Sequence, residues 1–187
     1  VMTRSKDVFI SLGKRLEVSR KHAADLFLSV HADSIEEAAF TQTVKGATVY
    51  TLSERASDAE ARAMAEKENA SDLIAGLDVA SGEESDQVKN ILIDLMKRET
   101  ANFSAEFSRT LVRKMRSNVS LAKDPERSAA FKVLKQTHAP SVLVELGYVS
   151  NPEEANLMQS AEWQDKIVNS IAAAVDTFFS KRTVGPP

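Results

Sequence analysis

The chain has 187 residues, of which 43% are hydrophobic and 27% charged, a composition typical of one globular domain. Its net charge of −3 argues against a nucleic-acid-binding surface, which is normally basic. The sequence has no cysteine, which excludes disulfides and thiolate metal sites, and no apolar run approaches the roughly 18 residues of a membrane span.

The first half of the chain alternates between helical and strand-like patterns. Apolar and small residues recur at helical spacing over 8–23, with Ser11 or Asp7 as the helix cap. A short apolar run over 26–30 predicts a strand, and the looser alternation over 46–53 predicts a second one. Capping residues followed by alanines predict another helix over 57–74.

The second half continues this alternation. An amphipathic stretch from about residue 87 to 115 is either one bent helix or two. The residues after it predict a loop, two strands and two helices, at 117–125, 130–135, 141–145, 152–158 and 162–181. Strands that alternate with helices indicate an α/β fold with a mostly parallel sheet flanked by helices.

Two predicted strands end in residues that can carry chemistry. His31 follows the apolar run of the first strand, and Glu145 follows Val142–Val144, a run typical of a strand buried on both faces. Ligands of open α/β sheets bind outside the carboxyl ends of strands, so we expect both side chains to face one crevice. A neutral imidazole suits a zinc ligand, and a carboxylate suits a general base.

At these residues the sequence resembles a known family. SVHAD (29–33) and PSVLVELGYVSNPEEANLM (140–158) resemble two signature segments of the zinc-dependent N-acetylmuramoyl-L-alanine amidases of the cell-division type. The opening residues 1–33, the segment GATVYTLS (46–53) and the closing helix resemble the same family. The likeness covers most of the chain outside about 74–118, and it implies a three-layer α/β catalytic domain over 1–187.

The resemblance implies roles for several residues. His31 would be the last metal histidine, Glu145 the catalytic base, and the remaining zinc ligands would precede Val1, so that the domain lacks its N-terminal part. Asp33 would either orient a ligand from the second shell or cap the following loop. Arg4 would either form a structural ion pair or contact substrate. The sequence gives little reason to place His22 or His138 in the site.

The segment from about 74 to 118 is read as a helical insertion. Six acidic and three basic residues lie within 78–100, and an acidic turn precedes the apolar stripe Val88, Ile91, Leu92, Leu95 and Met96. One interpretation is an ordinary core helix. The resemblance favours another, an autoinhibitory helix that covers the active site and presents Glu83 or Glu84 to the zinc, and that a protein activator displaces.

The sequence thus predicts a zinc-dependent peptidoglycan hydrolase that cuts the amide between N-acetylmuramic acid and L-alanine during daughter-cell separation. The alternative is a non-catalytic wall-binding or regulatory module of the same fold. The resemblance implies an exported, periplasmic monomer, activated by a protein of the lysostaphin-like, non-catalytic peptidase fold. It implies no nucleic-acid partner and no membrane span.

Overall fold

The computed structural model describes residues 1–34, 45–76, 87–136 and 138–183, with the backbone alone for 87–93 and 183. The described residues form six α-helices, four strands and one short 3₁₀ helix. The helices are α1 Leu12–Lys21, α2 Ala59–Asn69, α3 Ser71–Ile74, α4 Gln87–Met115, α5 Pro152–Met158 and α6 Ala161–Thr183. The strands are β1 Phe27–Asp33, β2 Ala47–Leu52, β3 Leu121–Ala129 and β4 Ser141–Tyr148, and the 3₁₀ helix is Lys132–Leu134.

The four strands form one sheet in the order β1-β4-β2-β3. The Phe27 amide bonds to the Pro140 carbonyl, and the Val149 amide bonds to the Asp33 carbonyl, so β1 and β4 run parallel. The Ala47 amide bonds to the Ser120 carbonyl, and the Ser53 amide to the Ala129 carbonyl, so β2 and β3 also run parallel. The predicted α/β class is therefore confirmed.

The central pair of strands runs the other way. The Glu154 carboxylate accepts the amide of Gly46, directly before β2, and the amide of Tyr148, at the end of β4. The beginning of β2 therefore lies beside the end of β4, and these neighbours are antiparallel. The sheet is mixed, with two parallel pairs on either side of one antiparallel pair.

The chain divides into two compact units. The first comprises Val1–Phe27, Thr51–Ser104 and Ser128–Ser141, and the second comprises Leu28–Tyr50, Ala105–Arg127 and Val142–Pro187. In the first unit α2 contacts both α3 and the 3₁₀ helix, which also contacts α1. In the second unit α5 contacts α6, and the rings of Phe107 and Phe178 meet edge to face at 5.2 Å. Each unit thus has its own buried apolar residues.

Helix starts follow the capping chemistry of the sequence. Ser11 Oγ accepts the Lys14 amide at the start of α1, and Asp58 Oδ1 accepts the Ala61 amide at the start of α2. Asp58 is thus the N-terminal cap of α2. The helix predicted over 57–74 ends at Asn69, and α3 follows as a separate turn.

One strand prediction was wrong. Residues 130–135 do not form a strand, because Lys132–Leu134 make a 3₁₀ turn that buries Val133 and Leu134 in the first unit. The strand is instead β3, Leu121–Ala129, part of which was predicted as the loop 117–125. β3 ends the strand order, and an edge strand tolerates polar residues and Pro125, so the apolar alternation that marks a half-buried strand is absent.

Helix α4 settles the question of one helix or two. It runs as one helix of 29 residues from Gln87 to Met115. Leu95 was predicted within a buried stripe, but its side chain is 64% exposed, and that of Met96 is 45% exposed. Within the described part of the chain, no helix has the length and apolarity needed to cross a membrane.

Candidate active site

The carboxyl ends of β1 and β4 bring two predicted site residues together in the second unit. Glu145 lies in β4, and its side chain is fully buried. Its Oε1 atom accepts the backbone amide of Asp33 at 2.6 Å. Asp33 lies two residues after His31 on β1, so the carboxylate and the imidazole belong to neighbouring strands at the same end of the sheet.

Glu145 is held more deeply than the sequence suggested. We expected it at the mouth of a crevice after its strand had ended, whereas β4 continues for three further residues to Tyr148. A buried carboxylate requires hydrogen-bond donors, and the short contact from Asp33 provides one. A role as general base requires a path by which water reaches this carboxylate.

His31 is half-buried and contacts a residue that the sequence reasoning missed. Its Nε2 atom lies 3.0 Å from Oγ of Ser29, and the tautomer of the ring decides which of the two donates. Ser29 is 6% exposed, so the contact holds the imidazole from the buried side. The signal was the period of a strand: Ser29, His31 and Asp33 alternate along β1 and therefore share one face.

The side chain of Asp33 makes the contact expected of a loop cap. Its Oδ1 atom accepts the amide of Ser34 at 2.6 Å. Its backbone carbonyl accepts the amide of Val149, which follows β4 directly. Asp33 thus joins the two strands through its backbone, and orientation of a zinc ligand by its carboxylate stays a prediction.

Other candidates have different surroundings. Arg4 belongs to the first unit, where its Nη1 atom donates to the Val8 carbonyl at 2.9 Å. His138, in the same unit, has Nε2 at 3.3 Å from Ser19 Oγ, and partial burial together with nearby Arg20 lowers its pKa.

Glu83 and Glu84 lie outside the described residues. Among 1–34, 45–76, 87–136 and 138–183, no three histidine or acidic side chains form a group that could hold a metal ion.

Comparison with known proteins identifies the family. A sequence profile described as N-acetylmuramoyl-L-alanine amidase matches residues 1–177. The chain belongs to this amidase family. The amidase AmiA of Escherichia coli (strain K12) is 38% identical to it over 180 residues, which are 95% of this chain and 60% of that protein. The amidase AmiC of Escherichia coli O6:H1 is 35% identical over 181 residues, 96% of this chain and 42% of that protein.

The chain therefore spans 60% of the length of the first of these amidases and 42% of the second.

Solved amidase structures agree in fold. AmiC2 of Nostoc punctiforme has a TM-score of 0.61 at 20% identity, over 96% of this chain and 72% of that one. The catalytic domain of CwlV from Paenibacillus polymyxa has a TM-score of 0.56 at 21% identity, over 96% and 72% of the two chains.

Proposed function

We propose that this amidase hydrolyses the amide between N-acetylmuramic acid and L-alanine in peptidoglycan. The observation that carries the proposal is the contact of the buried Glu145 carboxylate with Asp33, two residues from His31. It pairs a candidate base with a candidate metal ligand in a chain of this family. The names of the relatives AmiA and AmiC support the same bond as the substrate.

The proposed cofactor is one zinc ion. A zinc ion bound by three protein ligands lowers the pKa of its water to about 7. Among the described residues His31 is the candidate ligand, and no group of three donors accompanies it. The described part of the chain does not by itself fit a complete zinc site, so the proposal requires further ligands from outside the described residues.

Glu145 has the chemistry of the proton carrier in this proposal. Its carboxylate would take a proton from the attacking water and return it to the nitrogen of the leaving L-alanine, since amide cleavage requires a protonated amine. The Asp33 amide would hold Oε1, and with it the carboxylate, in place during the transfer. Ser29 holds the imidazole ring of His31 in place. The Val149 amide holds the end of β1 through the Asp33 carbonyl.

Release of dye from labelled, purified sacculi tests this function. The zinc-loaded protein, including native residues before Val1, should release soluble fragments at a rate that rises with enzyme concentration. The alternative, a wall-binding or regulatory module, would sediment with sacculi and release no dye. Binding without release, in folded protein that carries zinc and lacks residues 76–98, would therefore favour the module over the enzyme.

Zinc content provides a separate prediction. The 187-residue chain alone should bind zinc weakly, because its described residues contain no group of three ligands. A chain extended by the native residues before Val1 should hold one zinc ion per molecule. Metal analysis after dialysis measures both. Tight, stoichiometric zinc in the 187-residue chain would mean that the predicted ligand set is wrong.

The proposal includes control by the insertion that precedes and includes α4. Glu83 or Glu84 would occupy the position of the catalytic water, and an activator of the lysostaphin-like type would draw the helix away. Leu95 and Met96, exposed on α4, are apolar side chains that an activator could cover. The exposure of Leu95 weakens the original idea that the whole stripe is buried in the closed state.

Removing residues 76–98 should raise peptidoglycan hydrolysis without an activator, and Ile91→Asp or Leu92→Asp should do the same. Reversing a closed population of about 99:1 requires roughly 5.5 kcal/mol, and burial of one apolar side chain typically contributes about 1.5–3 kcal/mol. Combined Glu83→Ala and Glu84→Ala should give a smaller rise. Dye release is measured with zinc content alongside. Unchanged or lower activity in folded, zinc-loaded deletion protein would leave the insertion as ordinary core.

The biological setting follows from the substrate. Peptidoglycan lies outside the cytoplasmic membrane, so the proposed enzyme acts after export, in the periplasm. We propose separately that it acts as a monomer. Cutting stem peptides from glycan strands separates wall layers, which supports a role in daughter-cell separation. Fractionation of cells and microscopy of a deletion strain test these two points, and chains of unseparated cells are the expected phenotype.

A further inference from the structure

A second buried carboxylate lies close to the candidate active site and has no part in the mechanism described so far. Glu154 is the third residue of α5, and its side chain is 8% exposed. Its Oε1 atom accepts the Gly46 amide at 2.6 Å, and its Oε2 atom accepts the Tyr148 amide at 2.8 Å. One carboxylate therefore ties the end of β4 to the beginning of β2.

The backbone around this carboxylate is shaped for its close approach. Gly147 has φ of +151°, and a Cβ atom there would lie 3.0 Å from Glu154 Oε2. Gly46 has φ of +93°, and a Cβ atom there would lie 2.4 Å from the carbonyl carbon of Leu121. Both positions therefore favour glycine, and a side chain at 147 would press on the carboxylate itself.

A continuous series of contacts leads from Glu154 to Glu145. The amide of Tyr148 bonds to Glu154, and the next amide, that of Val149, donates to the Asp33 carbonyl at 2.7 Å. The amide of Asp33 in turn donates to Oε1 of Glu145 at 2.6 Å. The position of the β4 end thus helps to fix the backbone of Asp33, whose amide holds the candidate base.

We propose that Glu154 is a positioning residue for the amidase reaction, acting on Glu145 through the backbone of Tyr148, Val149 and Asp33. This inference rests on the proposed function, because it assigns Glu154 a role in placing the general base. A purely structural staple would stabilise the fold without affecting turnover in folded protein. A positioning residue affects turnover as well, since a displacement of about 1 Å at a catalytic group can lower the rate about 10²-fold.

The test is Glu154→Gln, which keeps the size of the side chain. An amide has one acceptor oxygen, so its NH₂ group must face one of the two backbone amides, and one hydrogen bond is lost. The matched control is Glu153→Gln, because the carboxylate of this neighbouring residue is 80% exposed. Its contact with Lys45 Nζ, at 3.7 Å, is an ion pair at the surface. The zinc-loaded protein, including native residues before Val1, is assayed at a temperature where circular dichroism reports folded protein.

We expect Glu154→Gln to lower kcat by about 10- to 100-fold, with KM and zinc content unchanged. Glu154→Asp, which keeps both acceptor oxygens, should recover part of the loss. Amide hydrogen exchange of the peptide containing Asp33 should become faster in Glu154→Gln and stay at the parent rate in Glu153→Gln. Exchange reports on the contacts directly and does not depend on which reaction the protein catalyses.

Parental kcat in folded Glu154→Gln, with or without a lower melting temperature, would overturn the inference. Glu154 would then have only a structural role. If this variant does not fold, the kcat of Glu154→Asp decides by the same criterion. Failure of both variants to fold would assign Glu154 to folding and equally overturn the inference. A parent protein that stays inactive after removal of residues 76–98 would contradict the proposed function instead, so the two failures are distinguishable.

Discussion

Replacing Glu145 by glutamine should lower the turnover of the zinc-loaded protein by about 10²- to 10⁴-fold, the usual contribution of a general acid–base group. Glutamine keeps an oxygen that can accept the Asp33 amide, so the contact that holds the side chain is retained. It cannot take a proton from water near neutral pH. The loss should therefore appear in kcat, with little change in substrate affinity or zinc content.

The measurement is dye release from sacculi at saturating substrate, with metal analysis and a thermal melt on the same sample. Glu66→Gln is the matched control, because Glu66 is an exposed glutamate on α2 and should leave the rate unchanged. Parental turnover in folded, zinc-loaded Glu145→Gln would remove Glu145 from the mechanism. A collapse of the melting temperature would instead assign the carboxylate to folding.

Replacing His31 by alanine should abolish both zinc binding and activity. A catalytic zinc site has three protein ligands, and removing one leaves too few donors to hold the ion against dialysis. The substitution also frees the hydroxyl of Ser29 from its contact with Nε2, which affects the fold only locally. Metal content is therefore the primary readout, and activity is the secondary one.

His22→Ala is the control for that experiment, since His22 is an exposed histidine that follows α1. It should retain the parental zinc content and rate. Stoichiometric zinc in dialysed His31→Ala would show that His31 is not a ligand, whatever the activity. Zinc-free protein with full activity would contradict the metal-dependent mechanism as a whole.

The strand and helix that follow Ala139 were predictable because their sequence signals are local. Residues 142–144 are a continuous apolar run, and in the structure all three are fully buried in β4. Asn151 accepts the amides of Glu153 and Glu154, and Pro152 occupies the first turn of α5. The sequence signals of a buried strand and of a capped helix therefore each lie within a few consecutive residues.

The edge strand β3 was not predictable in the same way. It pairs with β2 through backbone hydrogen bonds, which do not require a particular pattern of side chains, and its place at the end of the strand order removes the need for apolar alternation. The apolar residues of 130–135 are buried by packing in the first unit and not by a sheet. Pattern alone therefore assigned the strand to the wrong segment.

The candidate site was predictable by residue type and only partly by contact. His31 and Glu145 stand at the ends of apolar runs, which is a signal within the sequence. The contact of the Asp33 amide with Glu145 and that of the Gly46 amide with Glu154 depend on how distant segments pair. Register is fixed by tertiary packing across about 110 residues of chain, so no local pattern contains it.

Product analysis in water labelled with the heavy oxygen isotope tests the central claim most directly. Purified sacculi are digested by the zinc-loaded protein, including native residues before Val1, and the products are analysed by mass spectrometry. Cleavage of the proposed bond places one heavy oxygen on the lactyl carboxylate of muramic acid and releases stem peptides with a free L-alanine amine. Label at new sugar ends or within the stem peptide would contradict the account, and so would the absence of products from folded, zinc-loaded protein that lacks residues 76–98.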